Sequence, residues 1–220
     1  MGHHLATRRV VPVDPVNPRD DRVDRAQLVV AAGGIVALPT ETFYGLAVDA
    51  FDAAALDRLN RVKGKEGDAP VLLLLADLEQ VGQVADELPA RFTKLVEMFW
   101  PGPLTLVVRA SDRVPRQVSG GRGTVAVRVP GLSLPRRLAE RVGRPVSGVS
   151  ANRAGEPPCR TALEVSRVLG DDIDLILDGG RTAGGAPSTI VDLTGPRPRV
   201  LREGLVPAAS LRPFVSDLDA

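Results

Sequence analysis

The sequence predicts an α/β protein in which a mixed β-sheet is flanked by helices. Short apolar runs typical of buried strands alternate along the chain with longer segments whose apolar residues recur at helical spacing. Several neighbouring strands are joined by linkers too short for a helical crossover. Some strand pairs must therefore be antiparallel, which makes the sheet mixed.

The N-terminal part of the chain divides into an arm, a helix and a strand. Residues 1–20 are rich in proline and polar residues and predict an extended arm. Asp21 to Ala32 predicts a helix that ends at Gly33-Gly34. The apolar run from Ile35 to Leu38 predicts a buried strand. One face of the helix carries Val23, Ala26 and Val30.

Two further helices and a strand precede the middle of the chain. Phe51 to Val62 predicts a helix with Asp52 as its N-cap, and Val71 to Leu75 predicts a strand. Pro89 begins another helix with apolar residues at i, i+3, i+4 and i+7, typical of a core face rather than a ligand box. These residues are Phe92, Leu95, Val96 and Phe99.

The central strands follow a sharp break at Trp100-Pro101-Gly102-Pro103. Leu104 to Val108 predicts a strand, and residues 111–123 predict a mobile loop. From Thr124 to Val129 apolar and other residues alternate, which places Thr124 and Arg128 on one face. Arg128 is then either a solvated rim residue or a ligand-binding residue.

The remaining elements continue the alternation. Ser133 is predicted to cap a helix that ends at Gly143, and Thr161 with Glu164 forms a capping box for the next helix. Pro207 begins a short docked helix, and residues 211–220 form a tail. Strands are predicted over residues 145–149, 173–177, 189–193 and 199–202.

Composition bounds the class of protein. The chain has 220 residues, 44% of them hydrophobic, enough for a sizeable core in one domain or at most two. No apolar run approaches the roughly 18 to 20 residues needed to cross a membrane, and no signal-peptide core follows Met1. The single Cys159 excludes an internal disulfide. These features predict a cytoplasmic location.

The charge balance disfavours tight nucleic-acid binding. Lys plus Arg total 28 against 27 Asp plus Glu, so the formal net charge is +1. A protein that grips a phosphate backbone usually carries a clustered basic excess. Aromatic residues make up only 3%, too few for a platform that stacks single-stranded bases. A local basic patch remains compatible with these numbers.

Several common sites are excluded by motif. The chain has no G-x-x-x-x-G-K-[ST] loop and no G-x-G-x-x-G after a strand. The adjacent His3-His4 and one remote cysteine cannot form a structural zinc site, and no other histidine is present for a Ser-His-Asp triad. Cys159 lacks a histidine partner and is better interpreted as an ordinary buried thiol.

Polar groups at strand ends and cations on a loop remain as candidates. Thr40-Glu41-Thr42 follows a strand, where it is either a polar turn or a ligand site, and Gly45 permits a turn or close approach. Lys63 and Lys65 flank a glycine and suit a polyphosphate, whereas Arg128 suits a carboxylate. Further donors are Ser150, Asn152, Ser188 and Thr189. Such a site acts by positioning and by neutralising charge.

Five motifs in order identify a resemblance to a known family. They are Leu-Pro-Thr-Glu-Thr-Phe-Tyr-Gly-Leu, Trp-Pro-Gly-Pro-Leu-Thr-Leu, Val-Ala-Val-Arg-Val-Pro, Ser-Ala-Asn-Arg-Ala-Gly and Pro-Ser-Thr-Ile-Val-Asp. Together they resemble the Sua5/YrdC/TsaC family of threonylcarbamoyl-AMP synthases, in its short, single-domain form without the extra C-terminal domain. The resemblance extends from about Ala26 to Val206, within a catalytic domain expected over residues 21–210.

The resemblance implies a fold, a reaction and partners. The fold would be a twisted open sheet with a large concave cavity. The reaction would condense L-threonine, bicarbonate and ATP to L-threonylcarbamoyl-adenylate with release of pyrophosphate, Mg²⁺ arriving with ATP. A separate transferase would then modify adenosine 37 of tRNAs. Double-stranded RNA binding is a further family association, although the near-neutral charge predicts weak or no direct tRNA binding.

The same resemblance implies roles for individual residues. Lys63 and Lys65 would be catalytic by offsetting phosphate charge, and no protein metal site is implied. Threonine would be held by Thr40, Arg128, Ser188 and the backbone of Gly148. ATP would be held by Lys63, Gly67, Thr124, Ser150, Asn152, Pro158 and Arg202.

The chain departs from the family pattern on the ATP side. The family usually has Lys-x-Arg-Pro followed by Lys- or Asn-Pro-Leu, and Pro158 stands where serine is common. Lysine in place of arginine keeps the charge but loses the bidentate fork. A non-catalytic paralogue that binds nucleotide or RNA through the concave surface is therefore the alternative function. The substituted loop residues are Lys65, Glu66, Ala69 and Val71.

Overall fold

A computed structural model describes residues 9–64 and 69–214 and confirms the α/β class. A short 3₁₀ helix covers Glu79–Gln83. The α-helices are α1 (Asp20–Ala31), α2 (Ala53–Lys63), α3 (Ala90–Phe99), α4 (Arg116–Ser119), α5 (Ser133–Val142), α6 (Ala162–Leu169) and α7 (Ala208–Leu211). The strands are β1 (Val10–Pro12), β2 (Val36–Pro39), β3 (Tyr44–Ala47), β4 (Leu72–Leu74), β5 (Leu104–Arg109), β6 (Thr124–Arg128), β7 (Val146–Ser147), β8 (Val149–Ser150), β9 (Leu175–Asp178), β10 (Thr189–Asp192) and β11 (Arg199–Arg202).

The strands of the described residues divide between two mixed sheets. One has five strands in the order β1-β9-β2-β3-β8, and the other has six in the order β11-β10-β5-β6-β4-β7. In the second sheet β6 is antiparallel to β5 and parallel to β4. The short linkers noted in the sequence indeed join antiparallel pairs, namely β2 with β3 and β10 with β11.

The division into two sheets occurs at Gly148. The sequence predicts one strand over residues 145–149, but Gly148 separates β7 of one sheet from β8 of the other. A Cβ atom at Gly148 would lie 2.4 Å from Leu74 Cγ, so only glycine lets the chain press onto β4 here. The Gly148 N–H also donates to the Leu72 carbonyl at 2.7 Å. Gly148 marks a close approach or bulge in the sequence, but the change of sheet depends on strand pairing that the sequence does not supply.

The N-terminal arm contributes to the first sheet. Val10–Pro12 forms an edge strand that pairs in parallel with β9, with Val10 opposite Ile176. Val11 is buried in the core formed with α1 and α5. The segment predicted as an arm is thus extended, but from Val10 onward it belongs to the folded unit.

The predicted helix faces are confirmed. Val23, Ala26 and Val30 of α1 are buried, as are Phe92, Leu95 and Val96 of α3. Phe99 is partly buried and packs edge-to-face against Phe214, with ring centroids 5.5 Å apart. The helices therefore cover the sheets with the apolar stripes that periodicity predicts.

The predicted caps have mixed outcomes. Asp52 accepts a hydrogen bond from the Ala55 N–H at 3.0 Å, and Thr161 accepts one from Glu164 at 3.2 Å. The Glu164 carboxylate reaches the Arg160 N–H rather than that of Thr161. The Ser133 cap is wrong, because Ser133 is the first helical residue and the N-cap, Leu132, makes no side-chain cap.

The segment 111–123 is not an open loop throughout. It contains α4, whose Val118 side chain is fully buried and whose carbonyl accepts the Val71 N–H at 2.9 Å. No helix within residues 9–64 and 69–214 combines the length and apolar character that crossing a bilayer requires.

Candidate active site

A cavity of about 890 Å³ lies between the two sheets. One face of the six-stranded sheet forms much of its wall, through Leu72 of β4, Val107 of β5, Ala126 of β6 and Ile190 of β10. The predicted site residues that border it are Thr40, Thr124, Arg128, Gly148, Ser150, Pro158, Ser188 and Arg202. The strand alternation in β6 thus places Thr124 and Arg128 on the cavity side, as predicted.

Arg128 is the most deeply buried cation bordering the cavity. Its side chain is 3% exposed, which excludes the interpretation as a solvated rim residue. Its Nε donates to the Gly102 carbonyl at 3.0 Å, and its Nη2 forms an ion pair with Glu41 Oε1. Burial lowers the pKa of Arg128, and the Glu41 carboxylate opposes this. Glu41 therefore stabilises a charged, buried guanidinium in the wall of the cavity.

The Trp-Pro-Gly-Pro segment supplies a backbone carbonyl that accepts a hydrogen bond from Arg128. A Cβ atom at Gly102 would lie 2.4 Å from the Phe99 carbonyl oxygen, so this position requires glycine. The Gly102 N–H donates to the Val129 carbonyl at 2.9 Å. The motif thus turns tightly enough to present its Gly102 carbonyl to the Arg128 guanidinium.

Thr40 stands at the end of β2 and closes the turn that follows. Its hydroxyl lies 2.9 Å from that of Thr42 and 2.8 Å from the Phe43 carbonyl. The segment is thus a polar turn that also borders the cavity, and the two interpretations of this stretch are compatible. Gly45 forms no turn, since it lies within β3 and a Cβ atom would meet its neighbours at ordinary distances.

Ser188 belongs to a compact hydrogen-bond group. Its hydroxyl lies 2.9 Å from that of Thr105 and accepts from Arg202 Nη2 at 3.2 Å. Arg202 also donates to the Ser188 carbonyl from Nε at 3.1 Å and from Nη2 at 2.8 Å. The prediction places Ser188 and Arg202 on different sides of the site, whereas their side chains are in direct contact.

Thr105 was missed by sequence reasoning. It is fully buried and borders the cavity, on the face of β5 opposite Leu104 and Leu106. Leu106 pairs with Val127 in antiparallel register, so Thr105 lies opposite Arg128. The available signal was a lone hydroxyl in an apolar strand. Its pairing with Arg128 depends on sheet register, which the sequence does not supply.

Lys63 and Asn152 lie behind the cavity wall. Neither borders the cavity, although Ser150 beside them does. Lys63 Nζ donates to the Ser150 carbonyl at 2.5 Å and to Asn152 Oδ1 at 2.9 Å, and Ser150 Oγ donates to Asn152 Oδ1 at 2.6 Å. The Asn152 amide donates to the carbonyls of Arg153 and Glu156. In this arrangement Asn152 fixes Ser150 and Lys63 rather than presenting its side chain to a ligand.

Other nominated residues have different outcomes. The Thr189 hydroxyl is fully buried and bonds the backbone of Val206 and Gly204, so it is no ligand donor. Lys65 and Gly67 lie outside the described residues, as does Glu66. Burial raises the pKa of the Cys159 thiol to about 11, which agrees with an inert thiol.

The cavity has a strongly cationic lining. Arg122, Arg199 and Arg202 border it as exposed side chains, and Arg128 borders it as a buried one. Burial lowers the pKa of Arg202, and the charge of Arg128 lowers it further. The one acidic lining residue among the described residues, Asp192, accepts two hydrogen bonds from Thr194. The lining therefore favours an anionic ligand.

Most of the chain is similar to a known protein family. A model of the Sua5/YciO/YrdC family, described as "Telomere recombination", matches residues 29–204. The chain belongs to this family. The Sua5/YciO/YrdC match spans the residues that form the cavity, from Thr40 to Arg202.

Among described residues no group of three or more His, Cys, Asp or Glu side chains could hold a metal ion.

Named relatives are similar over most of this chain. A threonylcarbamoyl-AMP synthase of Pyrococcus abyssi is 38% identical over 208 residues, which are 92% of this chain and 61% of that protein. One from Halorhodospira halophila is 38% identical over 165 residues, 75% of this chain and 86% of that protein. The crystal structure of P. abyssi Sua5 complexed with L-threonine has a TM-score of 0.91 at 36% identity and covers 96% of this chain. This chain spans 62% of that structure.

Proposed function

We propose that this protein is a nucleotidyltransferase, an L-threonylcarbamoyladenylate synthase, that condenses L-threonine, bicarbonate and ATP. One observation carries the proposal. A single cavity combines a buried guanidinium and hydroxyl end, at Arg128 and Ser188, with an exposed cationic end, at Arg122 and Arg199. The first suits an amino-acid carboxylate and the second suits phosphates. The similarity to synthases, and to a Sua5 complexed with L-threonine, supports the choice of substrates.

L-Threonine would bind at the end of the cavity that Arg128 and Ser188 line. Its carboxylate would face the Arg128 guanidinium and the Ser188 hydroxyl, with Thr40 on the other sheet. The Gly148 N–H already donates to Leu72, so the Gly148 carbonyl is the backbone group available to accept from the threonine amine. These contacts would hold the amine toward the centre of the cavity, where the nucleotide approaches.

The reaction would proceed in two steps. With CO₂, the unprotonated amine would form a C–N bond while one C=O π bond opens to a carboxylate oxygen, and a proton would pass from nitrogen to solvent, giving a carbamate. With bicarbonate, the C–OH bond would break, and the hydroxide would leave as water with the proton from nitrogen. A carbamate oxygen would then attack the α-phosphorus of ATP, and the bond to the β-phosphate oxygen would break to release pyrophosphate. Positioning of the two anions and neutralisation of their charge would supply most of the rate enhancement.

The nucleotide would occupy the remaining cavity beside Thr124, Ser150 and Pro158. Lys63 would fix this wall through Ser150 and Asn152. Lys65, two residues later in the chain, would add a cation. Magnesium would enter as part of the substrate, because a triphosphate chain supplies the oxygen ligands that Mg²⁺ prefers. The adenylate would pass to a separate transferase that acts on tRNA.

A pyrophosphate assay tests the proposal. The protein, ATP, Mg²⁺ and bicarbonate are incubated with and without L-threonine, and the adenylate is identified by mass spectrometry. Threonine-dependent pyrophosphate release is expected, and it should fall when bicarbonate is removed. Folded protein that releases no pyrophosphate in the presence of threonine contradicts the proposal. Micromolar, salt-sensitive tRNA binding by such inactive protein would instead support the non-catalytic alternative.

A further inference from the structure

Thr105 is a buried hydroxyl without an assigned role. It is fully buried, pairs with Ile190 across β5 and β10, and borders the cavity. Within the described residues its side chain has one hydrogen-bond partner, the Ser188 hydroxyl at 2.9 Å. A hydroxyl carries one hydrogen and two lone pairs, so the direction of this bond decides what Ser188 offers a ligand.

The direction follows from the surroundings of Thr105. If Ser188 donated, the Thr105 hydrogen would be buried with no acceptor, which costs more free energy than a bond returns. If Thr105 donates, its hydrogen is satisfied and one Ser188 lone pair is used. The second arrangement is favoured, so Thr105 is the donor.

The other hydrogen-bonding positions of the Ser188 hydroxyl follow from this direction. Arg202 Nη2 also donates to the Ser188 hydroxyl, at 3.2 Å, and takes its second lone pair. Ser188 keeps its own hydrogen, which is then available to a ligand in the cavity that Ser188 borders. Because Thr105 and Arg202 occupy both lone pairs of the Ser188 hydroxyl oxygen, this hydroxyl can offer a ligand only its hydrogen.

We propose that Thr105 is a positioning residue that commits the Ser188 hydroxyl to donate into the cavity and so selects a ligand group that accepts, such as a carboxylate. The identity of the ligand as L-threonine rests on the function proposed above. Thr105 lies opposite Arg128 in the sheet, so the same acceptor meets a guanidinium and a hydroxyl donor. An ammonium group in this place would face the Ser188 donor and the positive charge of Arg128.

Two substitutions separate the hydroxyl of Thr105 from its volume. Thr105→Val keeps the shape and removes the donor, whereas Thr105→Ser keeps the donor and removes a methyl group. Calorimetry with L-threonine, with L-threoninol, which lacks the carboxylate, and with a non-hydrolysable ATP analogue measures the effects. Thermal unfolding of each variant monitors the fold.

The expected pattern is specific to the hydroxyl. Thr105→Val should weaken L-threonine binding about threefold to tenfold, as for loss of one hydrogen bond, and change ATP-analogue binding less than about twofold. Its preference for L-threonine over L-threoninol should shrink, because Ser188 is then free to accept. Thr105→Ser should restore both the affinity and the preference.

Each contrary outcome identifies what fails. Unchanged threonine binding in Thr105→Val, an unchanged preference, or a Thr105→Ser variant as weak as Thr105→Val overturns the role of Thr105 and leaves the proposed function standing. If the unsubstituted protein binds the ATP analogue but no L-threonine, the proposed function fails, and the inference with it.

Discussion

Glu41 and Arg128 form an ion pair that joins the two sheets. Glu41 follows β2 of the five-stranded sheet, and Arg128 ends β6 of the six-stranded sheet. Glu41 Oε1 also accepts the Gly131 N–H at 3.0 Å, while Oε2 is buried without a hydrogen-bond partner in the part of the chain that the structure describes. The guanidinium beside this partly buried carboxylate supplies its counter-charge.

Glu41→Gln should destabilise the protein. The substitution keeps the shape and an oxygen acceptor but leaves the Arg128 guanidinium buried without its counter-charge. We expect the free energy of unfolding, measured with urea, to fall by about 2 kcal/mol. Asp86→Asn, which breaks an exposed ion pair with Arg113, is the matched control and should change it by less than about 0.5 kcal/mol. Equal effects of the two substitutions would show that the Glu41 pair behaves as a surface pair.

Arg128→Ala should weaken threonine binding far more than ATP binding. Loss of a charge-assisted bond to a carboxylate predicts a change in the dissociation constant for threonine of about tenfold or more. ATP binding should change about twofold or less. Arg109→Ala, which removes an exposed arginine of β5 outside the cavity, serves as control in the same calorimetric titrations. If both ligands weaken equally, Arg128 does not belong to the amino-acid side alone.

Gly148→Ala should destabilise the junction of the sheets. The new Cβ atom would be placed 2.4 Å from Leu74 Cγ, so β7 or β4 must shift. Overpacking of this kind costs about 1–3 kcal/mol in urea unfolding. The added substitution Leu74→Ala removes the clashing atoms, so the double variant should lose less than the sum of the two single changes. Strict additivity would place the cause in the backbone of Gly148 instead.

Asp174→Asn should reduce the amount of stability that the protein loses as the pH falls into the acid range. Burial raises the pKa of Asp174, but hydrogen bonds from Arg58 and from the Ile35 N–H outweigh burial and lower it overall. A carboxyl with a lowered folded pKa stabilises above its unfolded pKa of about 3.9, and this contribution is lost as pH falls through the folded value.

Thermal unfolding from neutral pH to about pH 2.5 measures the effect of Asp174→Asn. The variant should melt below the parent at neutral pH, and the two curves should converge in acid. Asp57→Asn, at an exposed position of α2, is the control and should follow the parent throughout. A constant offset between variant and parent at every pH would contradict the titration of Asp174.

Local sequence patterns were enough to predict much of the fold and of the site. The two-residue period of β6 is a local property, so it placed Arg128 and Thr124 on one face before any partner strand was known. Helix faces such as that of α1 follow from periodicity in the same way.

Contacts between distant segments were not available from the sequence. The role of Thr105 depends on β5 lying between β6 and β10, and that of Glu41 depends on the two sheets facing each other. Likewise, the family resemblance assigns Asn152 to the ATP side, whereas its four side-chain hydrogen bonds stay within the protein. Sequence motifs indicate candidate polar residues, whereas their convergence and their division into ligand contacts and supports require the sheet register.

The step from β7 to β8 through Gly148 has a mechanical consequence. Because one residue separates strands of different sheets, the sheets are fastened along this edge and cannot part there as rigid plates. We therefore expect the separation of the two sheets to stay fixed at this edge, so that substrate and product enter and leave the cavity away from the junction.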